Sequence, residues 1–360
     1  GDYDMKMKSR TVALALSILL AFSAFGCGNV RDSSENSDKT DWGSSSGGGQ
    51  SESSIDPPKP EKEEYSFFSD SHFENGIGIM GMSAVTGRKN YGYIDYGGTV
   101  DAEKNSVWQL AQWSGKSDFA KDKKETLLDD GSYEYVAGGK KVVVNTETGR
   151  LTLAIDARQE YDHPRQPSES WVHNLIEQNF EQSMNVGAVS NIYAKAKFTI
   201  DKCDKYMSKT EYNANFHNAQ LLWYISVTNK PENTFYDSTT QTWSRGKYGD
   251  YIWFGVPLWE VNRLQITEGC KYDAGTGQFI YGLNNGWYLN VPIEPGEECE
   301  FKFDILPYIK TALQTCKERG GMVNCTYDNL YVTYMNLGWE VPGTFDCSAT
   351  FDYFDITYTL

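Results

Sequence analysis

The chain reads as all-β, an antiparallel jelly-roll β-sandwich with one late α-helix, and three observations carry that reading. From Tyr65 onward apolar and polar residues alternate with a period of two, the pattern of strands that bury one face. Gly, Asn and Asp recur between those runs, as turns require. A 3.6-residue period is found in one stretch alone, so no strand-helix-strand rhythm points to a parallel sheet.

Taken in order, the predicted strands are 78–84, 107–113, 133–137, 140–145, 151–157, 171–180, 189–200, 219–228, 251–259, 278–281, 299–303, 329–337 and 345–358. In the strand around 192–200, Ile192, Ala194, Ala196, Phe198 and Ile200 form the inward face, leaving Tyr193, Lys195, Lys197 and Thr199 outside. In 219–228, Ala219, Leu221, Trp223, Ile225 and Val227 suit a core, and Gln220, Leu222, Tyr224, Ser226 and Thr228 face the other way. The helix spans 304–319. Ile305, Ile309, Ala312, Leu313 and Cys316 share one face, Asp304 is the predicted cap, and Gly320 with Gly321 ends it. There is no internal repeat of the propeller or solenoid kind.

The N-terminal segment has a different character. Residues 1–4 precede Met5 and carry no fold argument. Lys6, Lys8 and Arg10 lead an apolar run from Thr11 to Phe25, too short for a comfortable permanent span, and Ala24-Phe25-Gly26-Cys27 stands at a cleavage point. This arrangement resembles the lipobox of bacterial surface lipoproteins, a likeness confined to the first 27 residues. It implies that Cys27 becomes the lipidated first residue of the mature chain, which then sits in the bacterial cell envelope, outside the cytoplasm, facing outward or into the periplasm. Residues 28–63, rich in Ser, Gly and Pro, cannot bury enough apolar surface to offset chain entropy and form a spacer. Residues 64–360 are then one β-sandwich domain, with 64–165 as an alternative small β unit of its own.

Composition narrows the partners. A net charge of −16 excludes nucleic acid and anionic lipid as binding surfaces, leaving the lipid anchor as the contact with a membrane. The aromatic content of 14%, with ten Trp and 24 Tyr, exceeds what a core needs and places rings toward solvent or ligand. Once Cys27 is lipidated, Cys203, Cys270, Cys299, Cys316, Cys325 and Cys347 make an even set for three disulfides, and Cys316 with Cys325 is the favoured local pair. None has the CxxC spacing of a zinc site. No cofactor is implied; a structural calcium near Asp346, Asp352 or Asp355 competes with the plainer reading of solvated acids on a strand. Nucleophile-elbow, Walker, HExxH and EF-hand motifs are absent.

Four groups of residues are candidates for chemistry. Along 251–259, Ile252, Phe254, Val256 and Leu258 make one face, and Tyr251, Trp253 and Trp259 emerge on the other with Glu260 just beyond. Flat rings in a row stack on sugar C–H faces while amides and carboxylates bond the hydroxyls. In 171–178 alternation places Trp171, His173, Leu175 and Glu177 together, so Glu177 can serve as a catalytic carboxylate if Glu260 or Glu340 lies across a groove. Mutual satisfaction of His173 and Glu177 is the simpler reading. Trp339 and Glu340 lie at the rim of the Pro342-Gly343 turn, a second place for ligand contact. Asp156 and Arg158, near His163 and Arg165, fit either a lyase-type site or a surface ion pair.

The body resembles the concanavalin-like and jelly-roll sandwiches found among secreted glycan-binding modules, glycoside hydrolases and polysaccharide lyases. The resemblance rests on strand count, aromatic load and export, and no residue roles are carried over from it. The leading expectation is a cell-surface lipoprotein that binds poly- or oligosaccharide, with Trp253, Trp259, Tyr251 and Tyr224 as platforms and Gln220, Glu177 and Glu260 as hydrogen-bonding partners. A glycoside hydrolase on the same scaffold, less readily a polysaccharide lyase, is one alternative; a protein-binding adhesin is another.

Overall fold

The period-two runs fold into two large sheets in the computed structural model, which describes residues 62–83, 89–230, 236–237, 242–243, 251–273 and 277–360. Residues 1–61, which hold the expected export signal, Cys27 and most of the expected spacer, and the end of the predicted 78–84 strand lie outside these residues. In chain order the strands are β1 (Tyr65–Ser66), β2 (Ile77–Met80), β3 (Asn90–Ile94), β4 (Trp108–Ala111), β5 (Lys124–Leu127), β6 (Tyr133–Ala137), β7 (Lys140–Asn145), β8 (Arg150–Asp156), β9 (Val172–Asn185) and β10 (Asn191–Lys205). There follow β11 (Gln220–Asn229), the short hairpin of β12 (Tyr236–Asp237) and β13 (Thr242–Trp243), β14 (Tyr251–Gly255), β15 (Trp259–Glu260), β16 (Gly269–Tyr272), β17 (Phe279–Gly282), β18 (Glu298–Asp304), β19 (Leu330–Val341) and β20 (Phe345–Thr359).

Sheet A has eight strands in the order β18-β10-β20-β8-β7-β6-β5, with β1 on β20. Sheet B has ten, in the order β16-β17-β14-β11-β19-β9-β4-β2-β3, with β15 on β11. The expected jelly-roll sandwich is thus present, and pairing is antiparallel except for β2 with β4 and β14 with β17. Strands between 65 and 156 join both sheets, β8 beside β20 and β4 beside β9.

The core lies between the sheets and follows the alternation. Ala194, Ala196, Phe198 and Ile200 of β10 and Leu151, Leu153 and Ile155 of β8 meet Trp223, Ile225 and Val227 of β11 and Leu337, Trp339 and Val341 of β19, all buried. Phe354 of β20 touches Trp108 and Trp223 edge-on at 5.8 and 6.1 Å, tying the sheets together.

Two short helices, α1 (Ala102–Asn105) and α2 (Phe119–Asp122), sit in connections the alternation did not flag. The predicted helix is α3 (Leu306–Glu318), whose buried face is Leu306, Ile309, Ala312, Leu313 and Cys316. Its cap is Ile305 and not Asp304, although the Asp304 carboxylate accepts the Leu306 N–H at 3.1 Å. It packs against β14 of one sheet and β10 of the other, closing a side of the sandwich.

One predicted strand is broken. The run 251–259 becomes β14 and β15, both paired with β11, but Tyr224 faces Gly255 whereas Leu221 faces Trp259. One extra residue therefore stands between Gly255 and Trp259 relative to β11, a bulge at Pro257 that reverses which side chains point outward. Trp259 lands on the core side, with its indole N–H donated to the Ile293 carbonyl at 3.0 Å and its ring edge-on to Trp339 at 6.1 Å. It does not continue the row of Tyr251 and Trp253.

Candidate functional site

The outer face of sheet B, turned away from sheet A, gathers most of the candidates. Its register aligns His173 of β9 with Glu340 of β19, Glu340 with Gln220 of β11, and Gln220 with Glu260 of β15. Four polar side chains thus form a row across four strands on one face. Gln220 donates from Nε2 to Glu340 Oε2 at 2.7 Å, Asn218 Nδ2 donates to Gln220 Oε1 at 3.2 Å, and Arg263 Nε lies 3.4 Å from Glu260 Oε1. His173 Nε2 stands 3.7 Å from Glu340 Oε1, so the histidine meets Glu340 and not Glu177.

Every member of the row is buried. Burial pushes the Glu340 carboxyl up to about 7, with the Gln220 hydrogen bond opposing it, the Asp273 charge adding to it and the Lys271 charge lowering it. Burial likewise raises Glu260 against the pull of Arg263. His173 goes the other way, down to about 4, from burial first and the charge of Lys140 second. The imidazole is neutral near pH 7, and its contact with Glu340 is not an ion pair.

Lys271 and Asp273, on and just after β16, stand four strand positions from β19, a span of roughly 19 Å in a flat sheet. Their charges nonetheless act on Glu340. Gly338 lies in β19 beside the row. Its φ of +149° and a Cβ that would lie 2.3 Å from the Asn174 carbonyl oxygen restrict this position, next to Trp339 and Glu340, to glycine.

Rings surround the row as a mutual cluster, not as an open line of platforms. Trp253 is edge-on to Tyr224 at 5.9 Å, Tyr251 at 5.2 Å and Tyr334 at 5.6 Å, and it alone of these four is partly exposed. Trp171, Leu222, Tyr224 and Ile280 pack beside it. The buried Trp171 indole N–H has no hydrogen-bond partner among the described residues. Burial, reinforced by the charges of Glu340, Asp273 and Glu260, holds the Tyr224 hydroxyl well above its usual range.

The remaining candidates scatter. Trp339 is fully buried between the sheets and donates to the Leu153 carbonyl at 3.0 Å, because β19 runs on to Val341 and alternation turns Trp339 inward when Glu340 points out. Glu177 shares the outer face opposite Asn336 and Gln109 but lies four residues from the row, about 13 Å along the strand. Asp156 and Arg158 form a two-point ion pair at 2.7 and 2.8 Å, with the guanidinium 3.9 Å from the Tyr206 ring centre, on sheet A. The acids weighed for calcium face basic groups: Asp346 meets Lys202 and Arg158, Asp352 meets Arg150 and Lys197, and Asp355 meets Lys195. Among the described residues no three His, Cys, Asp or Glu side chains gather as a metal site.

Asn218, Arg263, Lys271, Asp273 and Tyr334 join the site without having been singled out from sequence. Arg263 was visible as the third residue after Glu260. Lys271 and Asp273 were not, because 269–272 shows too little alternation to be read as a strand.

No family model matches the chain, and no curated protein sequence does. Among solved structures it is similar to a cellulase derived from the Cel12A enzyme of Rhodothermus marinus, at 10% identity and a TM-score of 0.36, covering 70% of this chain and 100% of that one. It is similar also to the family 12 xyloglucanase of Bacillus licheniformis, at 11% identity and 0.37 over 68% and 99%. A third is the xyloglucanase domain of a type three effector from Sinorhizobium fredii, solved in complex with cellobiose, at 12% identity and 0.31 over 69% and 98%.

Proposed function

We propose that the outer face of sheet B is a carbohydrate site, in a chain tethered to the cell envelope through Cys27. The row His173, Glu340, Gln220 and Glu260 is the observation that carries this reading. Side-chain acceptors and donors spaced one strand apart, bordered by Trp253 and by the unpaired N–H of Trp171, match the spacing and mixed polarity of a sugar's hydroxyls and C–H faces. It does not rest on an exposed row of rings, since Trp259 and Trp339 belong to the core and Tyr251 and Tyr224 are buried.

A glycan array probed with the wild-type chain and with Trp253→Ala and Gln220→Ala tests the proposal. Binding of one polysaccharide class that drops at least tenfold in both variants supports it; wild-type binding that neither variant changes removes the site. For the tether, fatty-acid labelling that still occurs in Cys27→Ala would overturn it.

Hydrolysis on the same face is the second reading, favoured by the Glu340 carboxyl held near 7 with Glu260 on the far side of Gln220. Their backbones are two strand spacings apart, about 10 Å. Glu340 would protonate the leaving oxygen and Glu260 would activate water. Reducing-sugar release that persists unchanged in Glu340→Gln rules this assignment out.

A further inference from the structure

We propose that Cys203 and Cys347 form a disulfide that links the two long central strands of sheet A. β10 and β20 pair antiparallel with Cys203 directly opposite Cys347, and the two Sγ atoms approach to 3.3 Å. Directly opposed strand positions bring Cβ atoms within the range a disulfide spans, so bonding needs a small closure of the sulfurs and no backbone rearrangement. Cys316 and Cys325, the local pair favoured from sequence, are each buried.

Access is asymmetric, and this sets the order of events. Cys203 is half-buried and lines a surface hollow of about 230 Å³ together with Trp259, Glu260, Arg263 and Ile293. Cys347 is fully buried in the core, and burial raises its thiol well above the ordinary value. The oxidant is a low-molecular-weight disulfide entering the hollow. The Cys203 thiolate attacks one of its sulfurs, its S–S bond breaks, and one thiol leaves while a mixed disulfide remains on Cys203. Cys347 then gives up its proton and attacks the Cys203 sulfur, expelling the second thiol. Two protein thiols and one small disulfide become one protein disulfide and two small thiols.

The test is exposure of the folded, reduced chain to oxidised glutathione, followed by alkylation, proteolysis without reduction and mass spectrometry. The expected product is a peptide pair joined through Cys203 and Cys347, two hydrogens lighter than the separate peptides. Because the bond closes a long loop, dithiothreitol should lower the melting temperature of the oxidised chain by roughly 5–10 °C. In Cys203→Ala with Cys347→Ala, that roughly 5–10 °C should be missing from the dithiothreitol effect, and the double variant should still unfold cooperatively. Both cysteines recovered as alkylated, or either joined to another cysteine, would overturn the pairing. The outcome is independent of glycan binding.

Discussion

At the scale of single residues, Glu340 and His173 oppose one another. The folded value of Glu340 near 7 stands above the 4.5 of an unfolded glutamate, so between those values the folded chain keeps a proton that the unfolded chain has lost. Stability from this group is therefore present at low pH and lost as pH rises through that window. His173, near 4 when folded against 6.5 when unfolded, costs stability as pH falls from 6.5 toward 4. Replacing Glu340 by Gln removes the first dependence and leaves the second. Denaturant unfolding of both chains should then show the variant gaining on wild type as pH is raised from about 5 to about 7.5, by up to about 3 kcal/mol. A difference that stays constant with pH would mean that Glu340 is not held in a proton-retaining environment. The outward placement of Glu340 was legible only in part, since the predicted strand stopped at Leu337 and left Trp339 and Glu340 to a turn.

Among elements, β19 and the paired segments β14 and β15 decide which residues the site receives. Gly338 is the sharpest point of control, because an added methyl there would meet the Asn174 carbonyl at 2.3 Å and the Leu153 side chain at 3.0 Å with φ at +149°. Gly338→Ala should cost about 2–4 kcal/mol in chemical unfolding. A cost below about 1 kcal/mol would show that β19 adjusts freely and does not fix the row. Alternation read β6 and β7 to the residue and located β8, β10, β11 and β20 closely, because each has one apolar and one polar face. It failed at Pro257, where one inserted residue reverses the faces and sends Trp259 inward, and no periodicity argument detects an insertion of one. It failed also for β3, β5 and β16, whose short sequences Asn90–Ile94, Lys124–Leu127 and Gly269–Tyr272 have few buried apolar positions.

Across the whole molecule, the outer face of sheet B gathers a buried polar row beside a ring cluster in which Trp253 is partly exposed. A single strand pattern cannot report that arrangement, since it arises from the register of β9, β19, β11 and β15 together. The sequence indicated a sandwich with aromatic and acidic residues on one outer face; it could not tell a ring that packs on other rings from one that awaits a ligand. The most direct measurement is a crystal structure of the chain with the oligosaccharide that binds best on the array. The account predicts a sugar ring against Trp253, a hydroxyl accepting from the Trp171 N–H, and Gln220 or Glu340 within hydrogen-bond distance of the same ligand. Ordered sugar elsewhere, with the row from His173 to Glu260 untouched, would contradict it.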